Sequence, residues 1–345
     1  MSTDTTGSAP ARPLVMSDVA ARAGVSHQTV SRVVNGHPNV APLTRSRVQR
    51  AIEELGYRPN AAARALVTGS SRTIGLVTMN VNQYGPAQTM IGLEQAARTA
   101  GYSLSVAIVD GAGVGTIAEA VDRFVAQSVD AVVVHTADLE AVAALGVLDP
   151  PVPLVAVQMG GEELGPTVTV VQEAGARLVV DHLLGLGHTT VHHLSGPEHS
   201  MESRRRVEGW RDALAEAGAP PGELWHGDWW PSSGHAVGIE VASRIRAGEP
   251  ITAVFAGNDQ MALGLMVALH EQGLAVPGDV SVVGFDDVPE APYFSPPLTT
   301  VRQDFSELGR RGVQLVLARL AGQDCEPDQV QPGLLVRGST GAPPR

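Results

Sequence analysis

From residue 73 onward, short unbroken apolar runs alternate with segments in which apolar residues recur every three or four positions. The runs fall at 73–79, 104–109, 131–135, 154–157, 253–256 and 280–285, with the more polar 190–194 in the same alternation, and predict strands. The helix-spaced segments fall at 86–100, 117–126, 175–184, 203–217, 235–246 and 259–272. Strands apolar on both faces, alternating with amphipathic helices, predict α/β architecture with parallel sheets covered on both sides. About 270 residues of this pattern exceed one comfortable core, so the stretch is expected to divide into two lobes.

The pattern before residue 70 is different. Residues 17–36 predict two short helices joined by a tight turn. Ser17 is placed to cap the first, whose apolar face is Val19, Ala20 and Ala23. Gly24 supplies the turn, Ser26 caps the second helix, and Asn35 and Gly36 stop it. Val30, Val33 and Val34 fall together at helical spacing, with His27, Gln28, Ser31 and Arg32 on the opposite side. A third helix over 44–55 carries Val48, Ile52 and Leu55 and ends at Gly56. Three such helices close a small core. An exposed row of hydrogen-bonding side chains in front of it suits a groove-reading helix, or else is a solvated face.

Asn60 then opens a helix-forming stretch that ends at Gly69. It spans about two turns, below the ~12–15 residues an isolated helix needs in water, so it is expected to order only against a partner. Leu66 on it has no core to join; one use for it is as a wedge in a DNA minor groove. Residues 1–13, rich in Ser, Thr, Ala, Pro and Gly, are expected to form a disordered arm.

Charge sharpens this division. The chain of 345 residues carries a formal −12, which argues against nucleic acid only if spread evenly. Residues 1–70 hold eight Arg against four Asp and Glu, so they are basic, and the remainder is strongly acidic. A basic module on an acidic body keeps phosphate contact local. The lone Cys325 forms neither an intrachain disulfide nor a CxxC metal site. No signal-like segment opens the sequence and no ~20-residue apolar run exists, so a cytoplasmic, nucleoid-associated protein without membrane contact is expected.

Ligands of open parallel sheets lie at the carboxyl ends of the strands. That rule singles out Asp286 and Asp287 after 280–285, Asn258 and Asp259 after 253–256, and Gln158 after 154–157. It also points to Trp229 in its loop and Arg206 on the helix after residues 195–197. Ionic and amide groups beside an aromatic face suit a sugar ring. Asp259 is expected to cap its helix, and Trp230 to be packing. Several patterns carry no chemistry. Residues 111–115 read GxGxG rather than the dinucleotide fingerprint GxGxxG. His192 and His193 are adjacent within a strand and face opposite ways. Asp286 and Asp287 are too close in sequence to oppose each other across a glycosidic bond. No cofactor, metal site or enzymatic constellation is expected. A sugar-binding or sugar-processing protein with no role on DNA is the competing reading.

The run Ala23-Gly-Val-Ser-His-Gln-Thr-Val-Ser-Arg-Val-Val-Asn35, with the hinge stretch up to Leu66, resembles the headpiece of the LacI/GalR family of bacterial transcription factors. So do the runs over 258–264, 281–287 and 296–305, and the similarity covers nearly the whole chain after residue 14. The resemblance implies a helix–turn–helix headpiece over 14–58, a hinge over 59–71, and a periplasmic-binding-protein-like core over 72–345. Its lobes are expected at about 72–170 with 301–332, and 171–298 with 333–340, the chain crossing near Val170, Leu298 to Val301 and Pro332.

By resemblance, His27, Gln28 and Arg32 contact bases and Leu66 is the wedge. Ser26, Thr29, Ser31, Asn35, Thr44, Tyr57 and Asn60 contact phosphates. Asp286, Asn258 and Arg206 meet sugar hydroxyls, and Trp229 and Phe305 form apolar walls. Gln158, Gln83 and Thr89 complete the effector site. The implied protein is a repressor of sugar-utilisation genes, released by a galactoside-like sugar and bound as a homodimer to pseudo-palindromic operator DNA. Two departures stand out. A member of the family to which this chain is especially similar has tyrosine where this chain has His27, and aspartate where it has Gln158. Residues 338–345 lack the leucine heptads of a tetramer-forming tail.

Overall fold

The computed structural model describes residues 14–344 except 35, 59–64, 66–68, 111–113, 137, 139, 142–144, 146–147 and 159–166. The chain forms two compact units, residues 1–71 and 72–345.

In the first unit, helices α1 (Met16–Ala23), α2 (His27–Val34) and α3 (Pro42–Leu55) enclose Val19, Ala20, Ala23, Val30, Val33, Val48, Ala51 and Tyr57. The two turn glycines sit where expected. Gly24 and Gly56 both adopt φ of 63°, the left-handed conformation that costs a Cβ-bearing residue energy. Ser26 caps α2, its hydroxyl oxygen accepting from the Thr29 amide at 3.2 Å. Ser17 does not cap α1. The helix starts one residue earlier, and the carboxylate of Asp18 accepts from the Val15 amide at 2.9 Å. A carboxylate does this better than a hydroxyl because it also meets the positive end of the helix dipole. Likewise α3 begins at Pro42 rather than Thr44, since proline's fixed φ suits the first helical position.

The second unit contains two six-stranded sheets. In the first lobe β1 (Thr73–Thr78), β2 (Ser103–Ile108), β3 (Ala131–His135), β4 (Leu154–Val157), β5 (Thr167–Val170) and a late strand β11 (Asp328–Val330) pair in the order β11-β5-β4-β3-β1-β2, all parallel. Helices α4 (Tyr84–Thr99), α5 (Val114–Ala126) and α10 (Phe305–Leu320) cover it. Successive residues of one strand face opposite layers. Val133 packs with Leu93 and Leu308 beneath α4 and α10, while Val132 and Val134 pack with Ile117 and Phe124 of α5. This explains a strand with no polar alternation.

The second lobe repeats the plan. Strands β6 (His192–Ser195), β7 (Leu224–His226), β8 (Ala253–Ala256), β9 (Ser281–Asp286), β10 (Thr299–Arg302) and β12 (Gly333–Leu335) pair as β12-β10-β9-β8-β6-β7, with only β10 and β12 antiparallel. Helices α6 (Gln172–Gly185) and α7 (Met201–Glu216) cover one face; α8 (Pro231–Arg246) and α9 (Asp259–Glu271) cover the other. The chain thus crosses between lobes after Val170, after Arg302 and between Val330 and Gly333. The middle crossing comes later than expected, because Thr299–Arg302 pairs in register with β9 before the chain leaves.

Two helix crossings depend on glycine. A Cβ at Gly264 of α9 would lie 1.8 Å from the Pro231 carbonyl oxygen of α8, and one at Gly309 of α10 would lie 2.3 Å from the Gly92 backbone of α4. Neither backbone can yield locally, so Gly264→Ala is expected to destabilise the core by about 3 kcal/mol, the upper range of overpacking costs. A urea midpoint unchanged by the substitution would show that the helices separate without strain.

Candidate functional site

The headpiece presents its polar row as the spacing implied. His27, Gln28 and Arg32 are exposed on α2, opposite buried Val30 and Val33. Among the expected phosphate contacts, Ser26 is exposed, and Thr29, Ser31 and Thr44 are half-buried. Tyr57 is only 6% exposed and packs in the headpiece core, so little of it is open to a phosphate. Arg22 on α1 is ion-paired with Glu54 on α3, bracing the unit away from the reading face. Asn35, Asn60 and Leu66 lie outside the described residues, as does the expected arm over 1–13.

In the core, strand ends deliver the chemistry. Asp286 closes β9 and is 8% exposed. Its Oδ1 accepts from Gln303 Nε2 at 2.6 Å. Burial pushes its carboxyl up to about 7, with Glu202 adding to the effect and Arg206 opposing it. Arg206 is only 2% exposed. Its guanidinium lies 3.9 Å over the Phe285 ring and 5.3 Å from that of Trp229. It donates from Nε to Gln172 at 2.9 Å and from Nη1 to the Gly257 carbonyl. Arg206 therefore holds its charge by stacking and by neutral acceptors, and the nearby carboxylates share one cation without pairing to it directly.

Asn258, not Asp259, caps α9. Its Oδ1 accepts from the Met261 amide at 2.9 Å, and its Nδ2 donates to the Trp229 carbonyl at 3.0 Å. Asp259 is fully buried behind it, accepting from the Val288 amide and the Thr300 hydroxyl at 2.8 and 2.5 Å. A Cβ at Gly284 would sit 2.2 Å from that carboxylate, so the β9 glycine makes room for it. Trp229 holds a left-handed φ of 73°, and its ring covers Gly196, where a Cβ would lie 2.2 Å away. Trp230 is 42% exposed and stands outside this arrangement.

The remaining expected contacts divide. Gln83 is the N-terminal flank of α4 and lines the cleft between the lobes. Phe305 meets Tyr84 edge-on at 5.9 Å and belongs to the first lobe's core. Thr89 has no exposed surface, and its hydroxyl donates to the Gly85 carbonyl at 3.0 Å, so it is not open to the cleft. Gln158, with φ of 65°, accepts from the Val170 amide at 3.1 Å and donates to Glu202 at 2.9 Å across the cleft.

Three cavities occupy this region. One of about 260 Å³ is lined by Met79, Gln83, His135, Asp138, Ser200 and Trp229, among others. A second of about 310 Å³ lies against Gln158, Gln172, Glu173 and Asp328. A pocket of about 30 Å³ is walled by Arg206, Asn258, Asp286 and Gln303. His135 hydrogen-bonds the Thr78 hydroxyl at 3.1 Å, and burial lowers it to about 4, so it offers a neutral imidazole. Sequence reasoning missed Glu202, Gln303, Gln172 and His135. The residues following strand ends were the available signal for Gln303 and His135; Glu202 and Gln172 sit at helix N-termini and carried none.

Elsewhere the dismissed His192/His193 and Asp286/Asp287 pairs can be followed, while residues 111–113 of the GxGxG run lie outside the described residues. His193 stacks on Phe255 at 4.3 Å in the core, while His192 tilts against Trp225 on the other side. Asp287 is clasped by Arg302 and Arg337. No group of His, Cys, Asp or Glu among the described residues could hold a metal ion, and no helix among them is long and apolar enough to cross a membrane.

Residues 15–60 match the family described as bacterial regulatory proteins, lacI family, and residues 180–340 match a periplasmic binding protein-like domain. The chain is 36% identical over 330 residues to the lactose operon repressor of Escherichia coli K12, spanning 95% of this chain and 91% of that one. The chain belongs to the lacI family. As a member it is a DNA-binding transcriptional repressor regulated by a small-molecule effector, and its relatives are regulators rather than enzymes. It is 35% identical over 331 residues to the PurR repressor of Vibrio parahaemolyticus, spanning 93% of this chain and 97% of that one. Among solved structures it resembles the lac repressor dimer bound to operator and the anti-inducer ONPF, with a TM-score of 0.87, 35% identity, and 96% and 100% of the two chains covered. It also resembles the complex of the regulator CelR with cellobiose, with a TM-score of 0.68, 31% identity, and 94% and 99% covered.

Proposed function

We propose that this lacI-family repressor controls sugar-utilisation genes and leaves its operator when a small sugar, of the galactoside class, fills the cleft between its core lobes. The observation that carries the reading is the buried set of Asp286, Arg206 and Asn258 beside the Trp229 ring. A carboxylate, a guanidinium and an amide divide acceptor and donor work among adjacent hydroxyls, and an indole face suits the apolar side of a pyranose. Relatives of similar identity carry different names, so this set, not family membership, supports a sugar.

On the DNA side, two copies of the chain would read a pseudo-palindrome, since a twofold protein matches a twofold site. His27, Gln28 and Arg32 would meet base edges, the residues flanking them phosphates, and Leu66 the central minor groove. The repressor would act in the cytoplasm, on the nucleoid. Sugar binding would alter the pose of the lobes that carry the hinge, and ~1–3 kcal/mol of coupling is enough for useful release.

The test is a mobility shift on DNA from the protein's own upstream region, with and without a sugar panel. A shift abolished by galactosides supports the whole reading. Arg32→Ala should weaken binding by about 1–3 kcal/mol at one base position; a uniform loss over all sequences would reject base reading there. A shift indifferent to every sugar would leave the DNA half standing and remove the effector half.

A further inference from the structure

The effector cleft holds a carboxylate that the strand-end rule never pointed to. Glu202, in the first turn of α7, is the one described side chain lining all three cavities of the cleft. It comes from the second lobe, yet its Oε1 accepts from Gln158 of the first lobe at 2.9 Å. The same rim is tied by the bridge between Asp138 and Ser200, again one residue from each lobe. Position 158 is where the resemblance led to expect a carboxylate and the chain has an amide. The missing charge has not vanished from the cleft; it reaches the same spot from the opposite wall.

Two further facts set what this carboxylate can accept. The pocket at Asp286 measures about 30 Å³, room for a water or one hydroxyl rather than a ring, while the chamber next to it holds about 260 Å³. Glu202 stands on the walls of both, so a sugar that occupies the chamber and sends a hydroxyl toward Asp286 passes it. The charge balance is also one-sided. Glu202 and Asp286 face a single buried cation, Arg206, whose two hydrogen bonds go to Gln172 and a backbone carbonyl. A ligand bringing another negative charge into this space would meet uncompensated repulsion at low dielectric. Hydroxyl donors meet two carboxyl groups able to accept from them instead.

We propose that Glu202 sets the effector specificity of this repressor: it supplies from the second lobe the carboxylate that position 158 lacks, accepts hydroxyl hydrogen bonds from an uncharged sugar, and excludes sugars carrying a phosphate or carboxylate. This rests on the reading of the cleft as a sugar site. When the sugar binds, its hydroxyls take the place of the Gln158 amide on Glu202, which releases one tie between the lobes.

The experiment titrates the full-length protein, followed by the fluorescence of its tryptophans and by calorimetry. The probes are galactose, lactose and cellobiose, each beside galactose 6-phosphate, glucose 6-phosphate and galacturonate. The wild type should bind at least one neutral sugar and none of the anionic ones. Glu202→Gln keeps the shape and removes the charge; it should lose about tenfold or more in affinity for the neutral sugar, the worth of one charge-assisted hydrogen bond, and narrow the gap to the anionic sugars. Gln158→Asp combined with Glu202→Ser moves the carboxylate to the other wall and should recover neutral-sugar binding. An unchanged midpoint of thermal unfolding for Glu202→Gln keeps the comparison free of folding defects; if that variant is less stable, the ratio of neutral to anionic affinity still reports specificity. Neutral-sugar binding unaltered in Glu202→Gln, or a wild type that binds a sugar phosphate equally well, overturns the proposal while the sugar reading survives. A wild type that binds no sugar, charged or neutral, overturns both.

Discussion

Replacing Asp286 by asparagine should yield a repressor that is more stable at pH 8 than the wild type and deaf to its effector. The carboxyl is 8% exposed, and burial pushes it up to about 7 against the pull of Arg206. The unfolded chain titrates near 3.9, so the folded state holds this proton over a wider range. Stability therefore falls as pH climbs from about 4 to about 7, and above that the full penalty of ionising a buried acid is present. At ~1.4 kcal/mol per unit, that penalty is at most about 4 kcal/mol, and asparagine removes it. The local geometry favours the exchange. An asparagine Oδ1 can still accept from Gln303, now 2.6 Å from Asp286 Oδ1, and the φ of 117° suits Asn at least as well as Asp. What is lost is the charged acceptor for the sugar. Urea unfolding at pH 5 and pH 8, with a sugar-dependent operator shift, reads both effects. A variant no more stable than wild type at pH 8 would mean that Arg206 already compensates the acid fully.

Arg206→Leu should act in the opposite direction and be the most damaging single change in the cleft. The guanidinium is 2% exposed, sandwiched against Phe285, and is the cation shared by Asp286 and Glu202. Without it two buried acids lose their counter-charge and Gln172 loses a donor, a class of loss that costs about 3–5 kcal/mol. The cost should shrink at acid pH, where Asp286 takes up its proton. Combining Arg206→Leu with Asp286→Asn should recover a large part of the stability, because the second change removes the charge the first one stranded. If the two substitutions prove additive across this cycle, the pair does not interact and the cleft electrostatics drawn from it are wrong.

These expectations turn on groups that differ greatly in how far the sequence disclosed them. The central strands were legible because burial on both faces leaves a run such as 131–134 with no polar position before its end at His135. Asp286 and Gln158 were legible because parallel strands place their carboxyl ends at one rim. The three-residue strands β7, β11 and β12 were not, since so short a segment has no period to read. Helix α10 lies outside the expected elements although the sequence carries its pattern: Leu308, Gly312, Leu315 and Val316 share one face behind the cap of Asp304. Neither Ser17 nor Asp259 caps its helix: α1 begins before Ser17, at Met16, and at α9 the neighbouring Asn258 takes the Met261 amide, a choice local sequence does not make.

By itself, the order of apolar and polar residues determined that this chain builds a small all-helical reading unit followed by two doubly covered parallel sheets. It did so because helices and strands each impose a fixed period on whatever they bury. The family motif and the strand-end acids came from the same linear text. Tertiary structure alone decided that Glu202 and Gln158, 44 positions apart, meet across a cleft, and that Thr89 faces inward. It also decided that Arg206 rests on an aromatic ring instead of a carboxylate. Which wall a charge comes from depends on how two lobes close on one another, and no periodicity within either lobe encodes that distance.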